Sequence, residues 1–581
     1  MKIICSTLNA KYIHTNLAIR YLKAYAAPEF TIELAEYTIK DPAMNIVSDL
    51  IARKPDIIGF SCYIWNIEET LKVISMIKKI DPAIAIVLGG PEVTYDTTEW
   101  MEKVPSADFI VIGEGEASFK QLLTELESGE PDFGKVPGLA FRRDGNVTIN
   151  LQAGKLDLKE LPSPYRFPED IPHLAKRVTY IETSRGCPFS CQFCLSSIEV
   201  GVRYFDREKI KDDIRHLMAN GAKTIKFVDR TFNISRSYAM DIFRFLIDEH
   251  LPGTVFQFEI TADIMRPEVI EFLNTEAPEG LFRFEIGVQS TNDYTNELVM
   301  RKQNFDKLKR TVTMVKKGGK IDQHLDLIAG LPEENYHSFR KTFNDVFEMR
   351  PEELQLGFLK MLRGTGLRIR ASEHEYIFMD QAPYEILGNN VLPFEDIIRI
   401  KQVEDVLEKY WNSHRMDATI EYLIAHEFES PFDFFQEFGA YWDEKGWARI
   451  GHQLEDLFKR LQSFLSSRNT RNMEIAEGLM MFDYLSRHKY SPRKPWWEKR
   501  FDKKDRSIFY QRLLNNPSLA GKSFQSLGLS EKEMYKHTIL EPLAFDLGGY
   551  LSTGEIRAVP SALAVYYDPS GKGPLIGSFA Q

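Results

Sequence analysis

Short runs of apolar residues alternate, over about the first 390 positions, with segments whose apolar residues recur every three or four positions. The runs predict buried parallel strands, and the segments predict amphipathic helices. Up to residue 125 the predicted strands are KIICST, DIIGFSCY, AIAIVLGG and DFIVIGEGE, and one helix face consists of Ile67, Leu71, Ile74 and Ile77. This order predicts an α/β domain of the Rossmann-like, doubly wound type, with its ligand at the carboxyl ends of the strands.

A second alternation of strands and helices begins near Val178. Six predicted strands recur about every thirty residues: VTYIET, TIKFVD, FQFEIT, FRFEIGVQ, HLDLIAGLP and ELQLGFLKM. Helical segments such as EKIKDDIRHLMANG, which stops at Gly221, separate them. Six βα repeats predict a partial (β/α)6 barrel of the TIM type rather than a closed eight-stranded barrel.

The patterning divides the chain into four segments. Residues 1–135 form the predicted Rossmann-like domain, 136–175 a linker, and 176–392 the partial TIM barrel. The linker is rich in Pro, Gly and charge and includes one predicted hairpin, GLAFRRDGNVTIN. Residues 393–581 are predicted to be a mostly helical, strongly aromatic C-terminal domain with strands near EIRAVPSALAVYYD.

Composition argues against several classes of protein, among them nucleic-acid-binding and membrane-spanning proteins. The 581 residues carry a formal net charge of -11, so the chain as a whole lacks the basic character of a nucleic-acid-binding protein. The segment SRHKYSPRKPWWEKRFDKKDR is basic and aromatic, and a solvated helix face with a buried tryptophan is favoured there over an RNA site. Five cysteines without a disulfide pattern, no signal peptide and no apolar run of about eighteen residues predict a cytosolic protein without membrane spans.

Three of the five cysteines fall in the run TSRGCPFSCQFC, directly after the first predicted barrel strand. Cys187, Cys191 and Cys194 therefore place three thiolates on one loop at the top of the barrel, where barrel enzymes hold their active sites. Three thiolates on a four-iron cluster leave one iron free for a substrate. The alternatives are a chance grouping or a zinc site completed by a distant ligand, because no fourth Cys or nearby His closes a tetrahedron.

The CxxxCxxC spacing, with Phe193 before the third cysteine, resembles the radical S-adenosylmethionine (radical SAM) superfamily. The runs KFVDRTFN, FRFEIGVQS and HLDLIAGLPEE are similar to barrel-strand motifs of the subgroup that carries a cobalamin domain, and the resemblance spans about residues 1–390. It implies a 4Fe-4S cluster whose free iron binds the amino and carboxylate groups of S-adenosylmethionine. One-electron cleavage would give methionine and a 5′-deoxyadenosyl radical that abstracts hydrogen from an unactivated carbon.

The resemblance also implies residues that bind S-adenosylmethionine. Besides Phe193 these are Asp229, Glu259, Glu285, Gln289 and the neighbouring Ser290. Pairing of the same side chains within the barrel, as buried structural groups, is an equally weighted alternative. Gly330, Leu331 and Pro332 are expected to shape a loop beside the adenine.

The runs VLGGPEVTYD and FIVIGEGEASF resemble the cobalamin-binding domain of the same subgroup. A corrin that lies against backbone at strand ends needs small residues there. The expected contacts are Ser61, Gly89, Gly90, Gly113, Glu114 and Gly115. His14 lacks the Asp and Gly partners of a D-x-H-x-x-G motif, so cobalamin is expected to bind without a histidine ligand, and His14 is expected at a helix start or in the core.

The resemblance predicts a cobalamin-dependent radical SAM enzyme that methylates an unactivated carbon of an unknown small-molecule or biosynthetic substrate. One S-adenosylmethionine would methylate cob(I)alamin and a second would generate the radical, with flavodoxin or ferredoxin as a one-electron donor. A non-methylating cyclase or rearrangement enzyme and a non-catalytic cobalamin sensor are the alternatives. Methylthio-transferring relatives carry three N-terminal cysteines, whereas only Cys5 and Cys62 occur here, so that function is rejected.

Overall fold

The computed structural model describes residues 1–152, 154–198, 201–493, 495–498, 503–528 and 530–580. The chain divides into two compact units, Met1–Phe394 and the residues from Glu395 onward. The first unit begins with the strands β1 (Ile3–Asn9), β2 (Ile32–Thr38), β3 (Ile57–Ser61), β4 (Ala85–Gly89), β5 (Phe109–Val111), β6 (Leu139–Arg143) and β7 (Asn146–Ile149). Its first helices are α1 (Leu17–Ala26), α2 (Ala43–Ala52), α3 (Ile67–Ile80), α4 (Pro91–Thr94), α5 (Thr97–Lys103) and α6 (Glu116–Glu127).

These strands form one sheet in the order β2-β1-β3-β4-β5-β6-β7, and β1 to β5 are parallel. The Rossmann-like prediction is confirmed, and the strand order reverses beside β1, where such sheets bind their ligands. The strand β2 was missed because it lies at the edge of the sheet. Only Ile32 and Ala35 of its sequence IELAEYT are buried, so the strand does not form a continuous apolar run.

The predicted hairpin belongs to this sheet and not to a linker. Its strands are β6 and β7, and β6 pairs antiparallel with β5, with Phe141 opposite Phe109. The sheet therefore extends past the predicted boundary at residue 135, to Ile149. The hairpin motif was readable from its turn residues, but the edge onto which it pairs depends on tertiary contacts.

The second part of the first unit is the partial barrel. Its parallel strands are β8 (Val178–Ile181), β11 (Thr224–Phe227), β12 (Val255–Glu259), β13 (Phe282–Gln289), β14 (Asp322–Ala329) and β15 (Glu353–Phe358), in the order β15-β14-β13-β12-β11-β8. Two-stranded pieces are β9 (Ser184–Arg185) with β10 (Arg203–Tyr204), and β16 (Ile377–Phe378) with β17 (Ile386–Gly388). The helices are α7 (Arg207–Ala219), α8 (Arg236–Glu249), α9 (Pro267–Glu276), α10 (Asp293–Leu298), α11 (Phe305–Gly318), α12 (Tyr336–Phe347) and α13 (Gly366–Ile369).

The barrel strands are buried on one face and polar on the other. In β13, Phe282 and Phe284 are buried, whereas Arg283 and Glu285 are half-buried. This period of two separates an apolar core from a polar opposite face. The six-stranded (β/α) prediction is confirmed, and the loop with the three cysteines follows β8, at a carboxyl end.

The second unit is mostly helical, as predicted. Its helices are α14 (Phe394–Tyr410), α15 (Asp417–His426), α16 (Pro431–Glu444), α17 (Leu454–Ser467), α18 (Met473–Ser486), α19 (Lys503–Asn515), α20 (Lys522–Gln525), α21 (Glu531–His537) and α22 (Leu547–Thr553). An antiparallel sheet contains β18 (Thr538–Leu543), β19 (Ser561–Tyr567) and β20 (Pro574–Ala580). Within the described ranges, no helix is long and apolar enough to cross a membrane.

The basic aromatic segment lies in this second unit. Trp496 and Trp497 are both buried and pack on Phe458 and Tyr484, which favours the structural interpretation of these tryptophans. Lys494 and residues 499–502 of the segment lie outside the described residues.

Candidate active site

The loop with the three cysteines starts from a glycine that no other residue can replace. Gly186 follows β9 with φ of 98°, a conformation that L side chains rarely adopt. An added Cβ would also overlap the carbonyl oxygen of Gly201, which belongs to the return segment of the loop. Gly201 in turn donates its backbone N–H to the carbonyl of Cys187 over 3.2 Å. The two sides of the loop are therefore held in backbone contact at its base.

Replacing Gly186 with alanine should remove the cluster from the protein. The Cβ cannot be accommodated without moving the backbone on which Cys187 depends, so we expect less than about one tenth of the normal iron after anaerobic reconstitution. The matched control is Gly221→Ala, since Gly221 also has a positive φ of 93° but open space around its Cβ. Equal iron content in the two variants would contradict this account of the loop.

The three thiols lie close enough to influence one another. Cys187 and Cys191 are buried, and Cys194 is partly exposed. Burial raises the pKa of the Cys187 thiol, and both Cys194 and Cys191 raise it further. Among the described residues, no three Cys, His, Asp or Glu side chains are already gathered at metal-binding distance. The donor set still fits an iron–sulfur cluster, because thiolates are the usual ligands of such clusters and all three lie on one hydrogen-bonded loop.

One cation beside the cysteines comes from a distant part of the sequence. The Nη1 atom of Arg301 lies 3.9 Å from the Sγ atom of Cys191, and its Nη2 donates to the carbonyl of Gly287 in β13. Burial raises the pKa of Cys191, and the Arg301 guanidinium opposes that shift. A fixed positive charge there would stabilise a thiolate ligand. Sequence reasoning missed Arg301 because 110 positions separate it from Cys191.

A cavity of about 750 Å³ opens at the carboxyl ends of the first sheet. The predicted cobalamin contacts Ser61, Gly89, Gly90, Gly113, Glu114 and Gly115 all line it. Residues around the cysteine loop line the same cavity: Glu182, Arg185, Gly186, Leu195, Arg203 and Arg230. The structure thus brings the first predicted site and the top of the barrel to one shared space, which is large enough for a cofactor-sized ligand.

The loop Gly113–Glu116 is tied to the cysteine loop by ion pairs. Glu114 pairs with Arg203 on β10, and its Oε1 lies 3.7 Å from Nη1 of Arg185 on β9. Glu116 accepts a hydrogen bond of 2.6 Å from Nη2 of Arg185. Glu114 therefore uses its carboxylate to join the two domains. The two arginines were not predicted, although both flank the cysteine motif in the sequence.

His14 lies on the loop after β1 and also lines this cavity. Its Nδ1 atom is 2.7 Å from the hydroxyl oxygen of Tyr180 in β8. Burial, Lys11 and Lys226 lower the pKa of His14, so the imidazole is neutral near pH 7. His14 lies just before Asn16, the N-cap of α1, and is half-buried at the junction of the two domains rather than in the core. An isolated parallel bridge joins it to Val178.

Asp229 is buried below the cysteine loop and is fully hydrogen-bonded. Its carboxylate accepts bonds from the backbone N–H and hydroxyl of Thr183, at 3.1 and 2.7 Å, and from the hydroxyl of Ser184 at 2.5 Å. These contacts favour the structural alternative over direct cofactor contact. Asp229 holds the segment that leads from β8 into the cysteine loop.

Glu259 and Glu285 are opposite each other on neighbouring barrel strands and share Lys226. The Nζ atom of Lys226 is 2.5 Å from Glu285 and 3.9 Å from Glu259. Burial and the charge of Glu285 raise the pKa of Glu259 to about 8. Burial opposes ionisation of Glu285 as well, but the Lys226 ammonium outweighs it and lowers the pKa. The two carboxyls are thus shifted in opposite directions, and perturbed carboxyl pairs are a common feature of functional sites.

The remaining predicted residues differ in whether their polar atoms are already hydrogen-bonded within the protein. Gln289 has φ of 69° and a buried Oε1 without a hydrogen-bond partner in the described residues, so it is available to a ligand. Ser290 donates to Glu334 over 2.6 Å and is a structural group. Phe193 is partly exposed on the cysteine loop. Gly330 accepts at its carbonyl from Tyr376, and the neighbouring Leu331 is buried; the adenine contact of residues 330–332 stays a prediction.

The two N-terminal cysteines are unsuited to metal binding. Cys5 and Cys62 are completely buried, and burial raises the pKa of each thiol to about 12. A neutral, enclosed thiol behaves as a small apolar side chain.

Family models match three separate segments of the chain. Residues 4–123 match the B12 binding domain, residues 181–346 match the Radical SAM superfamily, and residues 372–563 match a protein of unknown function, DUF4080. The chain therefore contains a B12 binding domain and a radical SAM domain. A radical SAM domain implies a 4Fe-4S cluster and S-adenosylmethionine, and a B12 binding domain implies cobalamin, so the predicted cofactors are confirmed.

Curated relatives of this chain include methyltransferases. The cobalamin-dependent radical SAM methyltransferase TokK of Streptomyces tokunonensis is 28% identical over 389 residues, which cover 63% of this chain and 56% of TokK. The 2-(S-pantetheinyl)-carbapenam-3-carboxylate methyltransferase of Streptantibioticus cattleyicolor is 28% identical over 348 residues, covering 56% and 50%. An anaerobic magnesium-protoporphyrin IX monomethyl ester cyclase of Synechocystis is 26% identical over 356 residues, covering 56% and 67%. The chain spans about half the length of the first two relatives.

Solved structures share the fold. The methyltransferase TsrM from Kitasatospora setae, with cobalamin and a [4Fe-4S] cluster bound, superposes with a TM-score of 0.56 at 16% identity, over 64% of this chain and 75% of TsrM. The cobalamin-dependent S-adenosylmethionine radical enzyme OxsB gives a TM-score of 0.57 at 16% identity, over 88% and 75%. At this identity the likeness concerns the fold alone.

Proposed function

We propose that this protein is a cobalamin-dependent radical SAM methyltransferase that acts on an unactivated carbon. The observation that carries the proposal is the shared cavity, which extends from the strand ends at Gly89 and Gly113 to Gly186, the residue before Cys187. When bound, the cluster would supply the electron that cleaves S-adenosylmethionine, and cobalamin would carry the methyl group. A ligand in this cavity would lie beside the cysteine loop, as transfer between the two cofactors requires.

The chain's own residues would hold this arrangement rigid. Arg185 binds Glu116 and, through Nε at 3.0 Å, also Glu182, so one guanidinium connects both sides of the cavity. Burial raises the pKa of Glu182 to about 7, and Arg185 opposes the shift. Filling the cavity with a cofactor would exclude more water, so these pairs would become stronger as the site closes.

The comparisons support methyl transfer more than cyclisation. Both TokK and the carbapenam relative carry the word methyltransferase in their names, at higher identity than the cyclase. The cyclase is nevertheless covered over a larger share of its own length, so a non-methylating radical reaction is the second candidate.

Deuterated S-adenosylmethionine separates the two candidates without knowledge of the substrate. The full-length protein, reconstituted with iron, sulfide and cobalamin, is reduced and given S-adenosylmethionine with a trideuterated methyl group. We expect mass spectrometry of the extracted cobalamin to show the label, because a methyl-transferring protein must load its cobalamin. Formation of 5′-deoxyadenosine with unlabelled cobalamin would contradict the methyltransferase proposal and favour the cyclase type.

Iron analysis addresses the third alternative. A protein that binds cobalamin and zinc but no iron or sulfide would be a sensor with a structural cysteine site. The cytosolic location, the flavodoxin or ferredoxin donor and the small-molecule substrate stay predictions of the sequence.

A further inference from the structure

The second unit contains a buried arginine that has no anionic partner among its described residues. Arg460 lies in α17 and is 8% exposed. Among the residues that the structure describes, its Nη1 has no hydrogen-bond partner, and its Nη2 donates to the carbonyl of Gly451 at 3.4 Å. Over the described part of the chain, no carboxylate forms an ion pair with this guanidinium. A buried charge left unpaired is costly, so its retention calls for an explanation.

Aromatic contacts compensate for only part of that cost. The guanidinium carbon of Arg460 lies 4.9 Å from the ring centroid of Trp442 and 5.3 Å from that of Trp447. The two indole rings are 5.4 Å apart and inclined by 74°. Cation–π contacts stabilise a cation but leave its N–H groups without acceptors. The arginine is therefore held in place by the rings while its donors remain available.

Neighbouring polar atoms are unmatched as well. The indole Nε1 of Trp442 and the Nδ1 of His452 are buried without hydrogen-bond partners in the described residues. The ring of His452 lies 6.3 Å from that of Trp442. An indole N–H can only donate, so it needs an acceptor beyond those that the described residues supply. The unmatched atoms of Trp442 and His452 lie near an arginine whose Nη1 is unmatched as well, and this grouping indicates a missing ligand with acceptor atoms.

The charges around this group favour an anion. Burial and the positive charges of Lys409, Arg460 and Arg415 lower the pKa of His452, while Asp405 opposes them. One oxygen of Asp405 is paired with Lys409, and the other has no partner in the described residues. Because Lys409 and Asp405 pair with each other, the Arg460 guanidinium keeps a charge without a counter-ion in the described residues. Water alone could satisfy the N–H groups but would not balance this charge.

The segment between α16 and α17 contacts Arg460 through Gly451 and is exposed. Arg449, Ile450 and Gly451 are exposed in this segment, and the Gly451 carbonyl contributes only the weak contact to Arg460. A stronger acceptor can displace that carbonyl by a small movement of an exposed loop, without disturbing the helices.

We propose that Arg460, Trp442 and His452 form a binding site for a carboxylate or phosphate group in the C-terminal region. A planar guanidinium matches the two oxygens of either group, and the Trp442 indole N–H supplies a third donor. This site is distinct from the cofactor cavity and does not depend on the proposed methyl transfer.

Anion-dependent stabilisation of the full-length protein tests the proposal. Unfolding is followed by tryptophan fluorescence in sodium phosphate and in sodium acetate, each against sodium chloride of equal ionic strength. We expect one or both anions to raise the unfolding temperature of the second unit by about 5 °C at concentrations a hundredfold above Kd. The anion with the greater effect identifies the phosphate or the carboxylate class.

Variants assign the effect to the site. Arg460→Met keeps the apolar stem and should abolish the anion effect, and Arg460→Lys keeps the charge but should weaken binding at least about tenfold. The matched control is Arg468→Met, because Arg468 ends the same helix but is paired with Glu437 at 2.7 Å; it should respond as the wild type does. If Arg460→Met does not fold, the Arg460→Lys comparison decides.

Two results would overturn the proposal. One is the absence of any phosphate or acetate effect on the wild-type protein beyond that of chloride. The other is an anion effect that is equal in the wild type and the Arg460 variants, since the ion would then bind elsewhere.

Discussion

Replacing Cys191 with alanine should leave a folded protein that holds no intact cluster and no longer cleaves S-adenosylmethionine. Two thiolates cannot replace three on a cluster that already has one open iron, so we expect bound iron to fall from about four to below about one atom per chain. The loop itself should persist. The N–H of Cys194 and the hydroxyl of Ser197 both donate to the backbone carbonyl of residue 191. Alanine retains this carbonyl.

The control for this loss is a second buried thiol of the same chain. Cys5→Ala removes a fully buried thiol from β1 and should cost on the order of 1–2 kcal/mol of stability through the cavity that it leaves. Its iron content and its formation of 5′-deoxyadenosine should equal those of the wild type. Full iron in Cys191→Ala would show that the triad is not the ligand set, and equal loss in both variants would point to general misfolding.

The barrel was predictable because its strands share one pattern of buried and polar residues. Each run places aromatic and aliphatic residues on one face, as Phe282 and Phe284 do in β13, and glycines or caps end the helices between them. The edge strand β2 and the hairpin β6–β7 do not follow this rule. One face of an edge strand meets solvent, and the pairing of a hairpin depends on which edge its apolar residues can cover. The sequence pattern of a single strand does not show which edge of a sheet it will pair with.

The residues of the candidate site also divide into those that the sequence predicts and those that only the structure shows. The cysteines and the glycines at strand ends were found because their function requires a fixed spacing or a small residue. Arg301 was not, since its distance from Cys191 is set by the barrel and not by the sequence. Asp229 was recognised as polar at a strand end, yet only the structure shows that Thr183 and Ser184 occupy its carboxylate. A side chain's position is often predictable from sequence, but its partners rarely are.

Replacing Gly89 with leucine should prevent cobalamin binding and leave the cluster in place. Gly89 ends β4 between Ser61 and Val111, and its backbone conformation accepts a side chain. An added Cβ would lie 3.7 Å from the Val111 carbonyl oxygen, an ordinary contact. The rest of the leucine would extend into the cavity that Gly89 lines. We expect cobalamin affinity to fall by about 100-fold, because the leucine side chain and the corrin cannot occupy the same part of the cavity.

The measurement is cobalamin retained per chain, read from the visible spectrum, beside iron content. Gly129→Leu is the matched control, since Gly129 is exposed with no atom near its Cβ, and Gly89→Ala should have a much smaller effect. Iron and 5′-deoxyadenosine formation should be unchanged in Gly89→Leu, whereas labelled methyl groups should no longer reach cobalamin. Wild-type cobalamin affinity in this variant would place the corrin outside the cavity, and the geometric basis for methyl transfer at the cysteine loop would then be lost.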